Sequence, residues 1–130
     1  MTTPRLTLTL LPGRVAVCRL DADAAVPAWW DRGTPASVTR TDDELSIVCD
    51  EAAPPDGPRI ERGWRAFKFE GPFPFEASGI LASVAAPLAA AGVGIFAFST
   101  FDTDYVMVKE RQLDAAVRCL RAARHELIGA

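Results

Sequence analysis

The sequence predicts an α+β fold in which antiparallel sheets carry helices packed on one face. Two observations in the second half of the chain support this. Apolar residues recur at helical spacing in residues 80–91 and 113–120, and short β-type runs surround those two segments. The order strand–helix–strand–strand–helix, with a short final strand, places both helices on one side of an antiparallel sheet when the crossovers are right-handed.

The first two strands are predicted from alternation at the start of the chain. Leu6–Leu10 alternates apolar and polar residues, which is typical of a strand with one buried face. Pro12-Gly13 predicts a turn, and Arg14–Leu20 follows as a second strand. Hairpin geometry makes these two strands antiparallel neighbours.

The rest of the first half is predicted to hold a short helix, a hairpin and a linker. Residues 21–31 are polar, then alanine-rich, and carry Trp29-Trp30, so we expect a short helix. Segments 37–41 and 45–49 predict a hairpin. Residues 51–63 hold three prolines and two glycines, which predicts a linker that divides the chain.

The second half begins with a strand over residues 64–70, which sets Phe67 and Phe69 on one face. A rigid loop, Gly71–Phe75, follows. Ser78 is the expected cap of the first helix and Gly92 its end.

Ile80, Leu81, Val84, Leu88 and Ala91 are predicted to share the buried side of this helix. Pro87 lies inside it, where it removes the hydrogen bond to Ser83 and should bend the last turn.

The final elements are two strands, residues 94–100 and 103–108, a helix over 111–124, and a last short strand over 125–128. The second half therefore predicts a ferredoxin-like layer. The first half has four strands and one short helix, so we interpret it as a degenerate second copy of that layer.

Composition excludes several classes of function. Hydrophobic residues make up 49% of the chain and charged residues 24%, which is typical of a globular domain. The 14 basic residues are dispersed, so we expect no nucleic-acid partner. The apolar stretch 79–98 contains Ser83 and Pro87, which argues against a membrane span.

The N-terminus lacks the apolar core of a signal peptide. The chain has three cysteines, an odd number, and they are far apart, which indicates free thiols in a reducing cytoplasm: Cys18, Cys49 and Cys119. One histidine and no Cys/His cluster predict no transition-metal site, and we expect no cofactor.

A polar segment, residues 99–104, interrupts two apolar runs that we interpret as buried strands. Side chains of this type are frequent in hairpin turns. Asp104, however, leads directly into the run 105–108. A carboxylate removed from water needs a cation or several donors, which the ammonium or guanidinium group of a ligand provides.

The start of the first helix complements that carboxylate. Its free N–H groups and positive dipole end favour an anion, although plain capping at Ser78-Gly79-Ile80 is the alternative. An α-amino acid carries one anionic and one cationic group on one carbon. A helix N-terminus near Asp104 matches both charges.

Residues 95–108 resemble the STxxTDYxLV strand pair of stand-alone ACT-domain proteins related to the CASTOR amino-acid sensors. Met107 stands where leucine is commoner. Four further stretches resemble the same family in order along the chain: Leu11–Arg14 with Val17-Cys18, Thr41-x-x-Glu44 with Leu45–Val48, Gly63–Arg65, and Gly79–Leu81 with Pro87-Leu88.

The resemblance implies two ACT-like units, over residues 1–60 and 61–130, with an amino-acid site in the groove between units. It implies a regulatory or sensor protein with no catalytic residue, a homodimer, and a regulated protein partner. Backbone groups of Ser46 and Ile47 would face the ligand. The implied ligand-binding residues are Ser46, Ile47, Ser78, Gly79, Ile80, Thr100, Phe101 and Asp104.

Two other functions stay open at this point. The first is an enzyme that uses Asp102 or Asp104 with a hydroxyl partner, although the sequence has no nucleophile elbow and no phosphate-binding glycine loop. The second is an assembly module whose sheet edges pair with another protein and which has no ligand of its own.

Overall fold

The computed structural model describes residues 4–57 and 59–130. The chain divides into two compact units. Unit 1 comprises Met1–Pro12 and Arg65–Ala130, and unit 2 comprises Gly13–Trp64. The first strand, which the sequence analysis placed in the N-terminal half, therefore belongs to the C-terminal unit.

Unit 1 contains five strands and two α-helices within the described residues. In chain order its elements are β1 (Thr7–Leu10), the end of β5 (Arg59–Phe69), α1 (Ile80–Ala90), β6 (Ile95–Ser99), β7 (Asp104–Lys109), a short 3₁₀ helix (Glu110–Gln112), α2 (Leu113–Ala122) and β8 (Glu126–Ile128).

The sheet of unit 1 has the order β8–β1–β5–β7–β6. β1 runs antiparallel to β5, with Leu8 opposite Phe69, and parallel to β8, with Leu8 opposite Leu127. The predicted hairpin between the first two strands is therefore wrong. β1 instead occupies the position between β5 and the last strand, and the amide of Leu11 donates to the carbonyl of Ala66 at 2.9 Å.

The core of unit 1 lies between its sheet and its two helices. Phe67 and Phe69 share one face of β5, as predicted, and both are fully buried. Val84 and Leu88 of α1 and Leu120 of α2 pack into the same cluster. Both helices therefore cover one face of the sheet, which confirms the predicted fold class.

Helix α1 differs from the prediction at its start and on one side. Its N-cap is Gly79, whose φ of 79° suits glycine, and no side chain caps it, so the predicted capping role of Ser78 is wrong. Leu81, predicted on the buried side, is exposed because it lies one residue beyond the stripe that Ile80, Val84 and Leu88 form.

Pro87 and His125 are connected through the carbonyl of Ser83. Proline has no N–H to donate four residues back, so this helical carbonyl lacks its usual partner. The Nε2 of His125 lies 2.8 Å from it, and the amide of Leu6 donates to Nδ1 at 3.1 Å. Because Nδ1 accepts, Nε2 carries the proton. The buried imidazole joins α1 to the residue before β1.

Unit 2 is a sheet of four strands in the order β3–β4–β2–β5. Its own strands are β2 (Val15–Leu20), β3 (Ser37–Arg40) and β4 (Leu45–Asp50), and the first part of β5 pairs with β2. β3 and β4 form the predicted hairpin. The hydroxyl of Thr41 accepts from the amides of Asp43 and Glu44, which fixes the turn between them.

Residues 21–36 form turns, and the short helix predicted over 21–31 is absent. The backbone hydrogen bonds made within this segment span three residues, for example from the amide of Trp30 to the carbonyl of Pro27 at 3.2 Å. Trp29 and Trp30 are half-buried and pack against the core of unit 2. This turn segment covers the sheet without a helix.

The segment predicted as a linker is shorter in the structure. β5 begins at Arg59, so residues 59–63 are strand, and the loop after β4 ends before them. Pro58 lies outside the described residues. β5 spans the end of unit 2 and the start of the second segment of unit 1.

Two free thiols lie in the core of unit 2. Cys18 and Cys49 are almost completely buried, and burial raises the pKa of both; that of Cys49 reaches about 12. A buried thiol with a raised pKa is a poor nucleophile. These two side chains act as core residues.

Within the described residues, neither helix has the length and hydrophobicity that a membrane span requires.

Candidate functional site

The polar segment forms a tight turn between β6 and β7. The amide of Thr100 donates to the carbonyl of Thr103 at 2.8 Å, and the amide of Thr103 approaches the hydroxyl of Thr100 at 3.3 Å. Thr103 is buried and donates its hydroxyl proton to the carbonyl of Phe69 at 2.6 Å. The two threonines therefore fix the turn and attach it to β5.

Asp104 opens β7 and faces Ser99 across the strand pair. Its carboxylate accepts a hydrogen bond from the hydroxyl of Ser99. The side chain is half-buried, so the expectation that this carboxylate is withdrawn from water is wrong. Among the described residues, no lysine or arginine forms an ion pair with it.

The two strands that flank the turn differ in burial. Val106, Met107 and Val108 of β7 are fully buried, as predicted. β6 is an edge strand that pairs with β7, and its residues alternate between exposed and half-buried. The prediction of two buried strands is therefore correct for β7 only, since no described strand pairs with the outer edge of β6.

A cavity of about 210 Å³ lies between this turn and the loop before α1. Two carboxylates line it, those of Asp102 and Asp104, and within residues 4–57 and 59–130 no basic side chain does. The described lining is Phe73, Pro74, Phe75, Ala77, Ile80, Ser99, Thr100, Phe101, Asp102, Thr103 and Asp104. The cavity therefore combines negative charge with apolar walls.

Two exposed aromatic rings form part of this wall. Phe75 is 73% exposed and Phe101 is 79% exposed. Their ring centroids lie 4.8 Å apart, and the rings meet edge to face at 89°. Exposed apolar side chains that adjoin one another, unlike single ones, are typical of ligand-binding or partner-binding surfaces. The faces of such rings also attract cations.

The start of α1 lies beside the cavity, which Ile80 lines. The first N–H groups of a helix have no partner within the helix, and here no side chain supplies one. They carry the positive end of the helix dipole. Ser78 and Gly79 precede Ile80 directly and are exposed, but neither lines the cavity.

Of the predicted site residues, the structure brings Ile80, Thr100, Phe101 and Asp104 together around one cavity. Ser46 and Ile47 lie on β4 in unit 2, where β2 and β3 pair with both edges of that strand. The side chain of Ile47 is fully buried in the core of unit 2. Ligand contact by these two residues stays a prediction.

Phe73 and Phe75 line the cavity but were not among the predicted site residues. Their loop was expected to be rigid, with no role in binding. Phenylalanines between prolines, just before a helix, are the signal that could have identified this wall of the cavity.

Among the described residues, no three side chains of histidine, cysteine, aspartate or glutamate are grouped so that they could hold a metal ion.

Comparison with known proteins identifies the family. The family model for the ACT domain matches residues 59–122, and a second model, described as an N-terminal domain, matches residues 13–56. This chain contains an ACT domain, over residues 59–122. The predicted resemblance is thereby confirmed.

A solved structure similar over nearly the whole chain comes from Agrobacterium tumefaciens. It is 46% identical, with a TM-score of 0.91, over 96% of this chain and 93% of that one. The regulatory subunit of aspartate kinase from Thermus thermophilus shares the fold with a TM-score of 0.61 at 10% identity, over 89% of this chain and 95% of that chain.

Among curated proteins, the chain is similar to the human cytosolic arginine sensor for mTORC1, subunit 1. The two are 34% identical over 65 residues, which is 49% of this chain. The matched segment spans only 20% of the sensor's length. The ACT-domain protein is therefore related to the CASTOR sensors through one segment.

Proposed function

We propose that this ACT-domain protein is a non-catalytic regulatory module that binds an amino acid in the cavity beside the turn 99–104. The observation that carries the proposal is the lining of that cavity. Two carboxylates and three phenyl rings surround it, and none of the described residues that line it is basic. This chemistry suits a small organic cation.

The geometry supports an α-amino acid in particular. Asp104 offers a carboxylate to the α-ammonium or to a cationic side chain, in a charge-assisted hydrogen bond. The free N–H groups at the start of α1 suit the α-carboxylate. Phe75 and Phe101 supply an apolar or cation–π wall for the remaining side chain.

A basic amino acid fits best. With its carboxylate at the helix start, an arginine or lysine still carries two positive groups for Asp102 and Asp104. The related human protein is named as an arginine sensor, which agrees with this choice.

The proposed contacts are the predicted residues that line this cavity or directly precede its helix: Ser78, Gly79, Ile80, Thr100, Phe101 and Asp104.

The test is a thermal-shift panel of the twenty amino acids, followed by calorimetric titration of those that stabilise. At a hundred times its dissociation constant, a true ligand stabilises the fold by ~2.7 kcal/mol, which is several degrees for a domain of this size. We expect arginine or lysine to give the largest shift. A uniform response to all twenty would contradict the proposal.

Asp104→Asn is the matched variant for the site. It keeps the size and the hydrogen bond to Ser99 but removes the charge. We expect it to lower amino-acid affinity at least tenfold while the melting temperature without ligand stays within two degrees, since a charge-assisted hydrogen bond contributes ~1.5–3 kcal/mol. Asp114→Asn, at an exposed position of α2, is the control and should bind normally. Equal affinity of both variants would contradict the role of Asp104.

The burial of three potential nucleophiles or bases, His125, Cys18 and Cys49, agrees with a regulatory rather than a catalytic role. His125 is buried and hydrogen-bonded on both ring nitrogens. Cys18 and Cys49 are buried thiols with raised pKa. A regulatory module needs a ligand with different affinities for two states of the protein.

The name of the human relative places that protein in the cytosol, and we propose the same compartment here.

An assembly module is the second candidate, and one observation favours it. No charged residue occurs between Ala77 and Phe101, although Leu81 and Ile95 are exposed in this segment. Helices that face water normally carry charge on their outer side. We expect a homodimer at micromolar concentration by light scattering. A monomer that still responds to an amino acid would favour the first candidate alone.

A further inference from the structure

Two guanidinium groups share one cross-strand position in unit 2. β2 and β5 pair antiparallel, and their register sets Arg19 opposite Arg59. Like charges that are directly opposed destabilise an antiparallel pair. β5 also carries Glu61, opposite Val17 on the same face, but the position itself holds two positive charges and therefore favours a negative group.

The neighbours in this row are polar as well. Ser46 of β4 lies opposite Arg19, and Thr39 of β3 lies opposite Ser46. Opposed residues project to one face of a sheet. Cys18 and Ile47, next to Arg19 and Ser46, belong to the core on the other face. We call Thr39, Ser46, Arg19 and Arg59 the arginine row.

The hydrogen-bonding capacity of the two arginines is mostly unused by the described residues. Arg19 donates from Nη2 to the carbonyl of Asp43 at 2.9 Å, which occupies one of its five N–H donors. Arg59 is exposed, and in the described part of the chain its side chain has no hydrogen bond or ion pair. Several donors therefore face solvent side by side.

A cavity of about 360 Å³ adjoins these two side chains. It is lined by Arg19, Leu20, Asp21, Ala24, Gly57 and Arg59. Two guanidinium groups against the single carboxylate of Asp21 leave the lining with excess positive charge. This is the opposite charge from that of the amino-acid cavity in unit 1.

We infer that this cavity is a second binding site, for a phosphate group that is free or carried by a small molecule. The planar fork of arginine matches the oxygens of phosphate and binds them in pairs. A doubly charged oxyanion between Arg19 and Arg59 removes the repulsion across the strand pair. The site lies wholly in unit 2 and does not depend on the proposed function of unit 1.

The test compares thermal stability in inorganic phosphate and in sodium chloride at equal ionic strength. We expect phosphate to raise the melting temperature by several degrees more than chloride does. Arg59→Gln should remove this difference, and in chloride its melting temperature should equal or exceed that of the wild type, because the opposed charge is gone. Arg111→Gln removes an exposed charge from unit 1 and should leave the phosphate response intact.

Arg19→Gln is the second variant, and calorimetric titration with phosphate is the direct measurement for both. Equal effects of phosphate and chloride on the wild type would overturn the inference, as would a full phosphate response in Arg59→Gln. Glycerol phosphate distinguishes the sources of the group. Tighter binding than inorganic phosphate assigns the site to a phosphorylated small molecule, and weaker binding assigns it to the free ion.

Discussion

Unit 1 and unit 2 cover one face of their sheets with different elements. In unit 1 the cover consists of α1 and α2, and the described core contains large side chains such as Phe67 and Phe69. In unit 2 the cover is a turn segment with Trp29 and Trp30, and the described core is smaller and includes two thiols. A strand pattern in the sequence therefore predicts a sheet but does not determine what covers it.

The difference extends to the surfaces. Unit 1 presents an acidic, aromatic cavity beside the turn 99–104, and unit 2 presents a basic cavity beside the arginine row. The two cavities suit ligands of opposite charge.

The largest effect is expected from Phe67→Ala in the helical unit. The ring is fully buried, and its removal leaves a cavity, so the free energy of unfolding should fall by ~3–5 kcal/mol. Urea denaturation measures it. Phe75→Ala removes the same ring from an exposed position and should change stability by less than ~0.5 kcal/mol. Equal losses in the two variants would contradict the assigned core.

His125→Ala should give the next largest effect, because it leaves the amide of Leu6 and the carbonyl of Ser83 buried without partners. Each such group costs ~1–3 kcal/mol, so we expect a loss of at least ~2 kcal/mol. Pro87→Ala restores an N–H that can reach Ser83 along the helix. It should therefore stabilise the His125→Ala protein more than the wild type. Additive effects in this double-mutant cycle would show that the two positions are not coupled.

The thiol core of unit 2 predicts a smaller, pH-dependent effect. Burial raises the pKa of Cys49 from 9.0 to about 12, so above pH 9 the unfolded chain loses this proton while the folded chain keeps it. Stability present below pH 9 is then lost towards pH 12, by up to ~1.4 kcal/mol per pH unit for this group.

Urea denaturation at pH 8 and at pH 10.5 measures that loss. In Cys49→Ala the decrease in the free energy of unfolding between the two pH values should be smaller than in the wild type, whatever the variant's stability at pH 8. Cys119→Ala is the control from unit 1, where burial also raises the thiol pKa but the side chain is only partly buried. An unchanged fall in Cys49→Ala would contradict the buried-thiol account.

Local pattern predicted most strands and both helices, because burial on one face leaves a period of two or of 3.6 in the sequence. Pairing was harder to predict. β1 pairs with β5 and β8, which are far away in sequence, and no local signal distinguishes this from a hairpin with β2. The helix predicted over 21–31 does not form. Trp29 and Trp30 are half-buried, and turns rather than a helix hold them against the core of unit 2.

The candidate site was predicted in part. Resemblance to the family identified Thr100, Phe101 and Asp104 on the turn, and the structure places them around one cavity with Ile80. The burial of Asp104 was overestimated because β6 lies at the edge of the sheet. Phe75 was missed because its exposure depends on how the loop before α1 lies against the turn.

Backbone amide chemical shifts, mapped during titration with arginine, report most directly whether an amino acid binds at the turn 99–104. We expect saturable changes concentrated in residues 73–82 and 99–104 of unit 1, and their loss in Asp104→Asn. Changes that avoid both segments, or that persist unaltered in the variant, would contradict an amino-acid site at this turn.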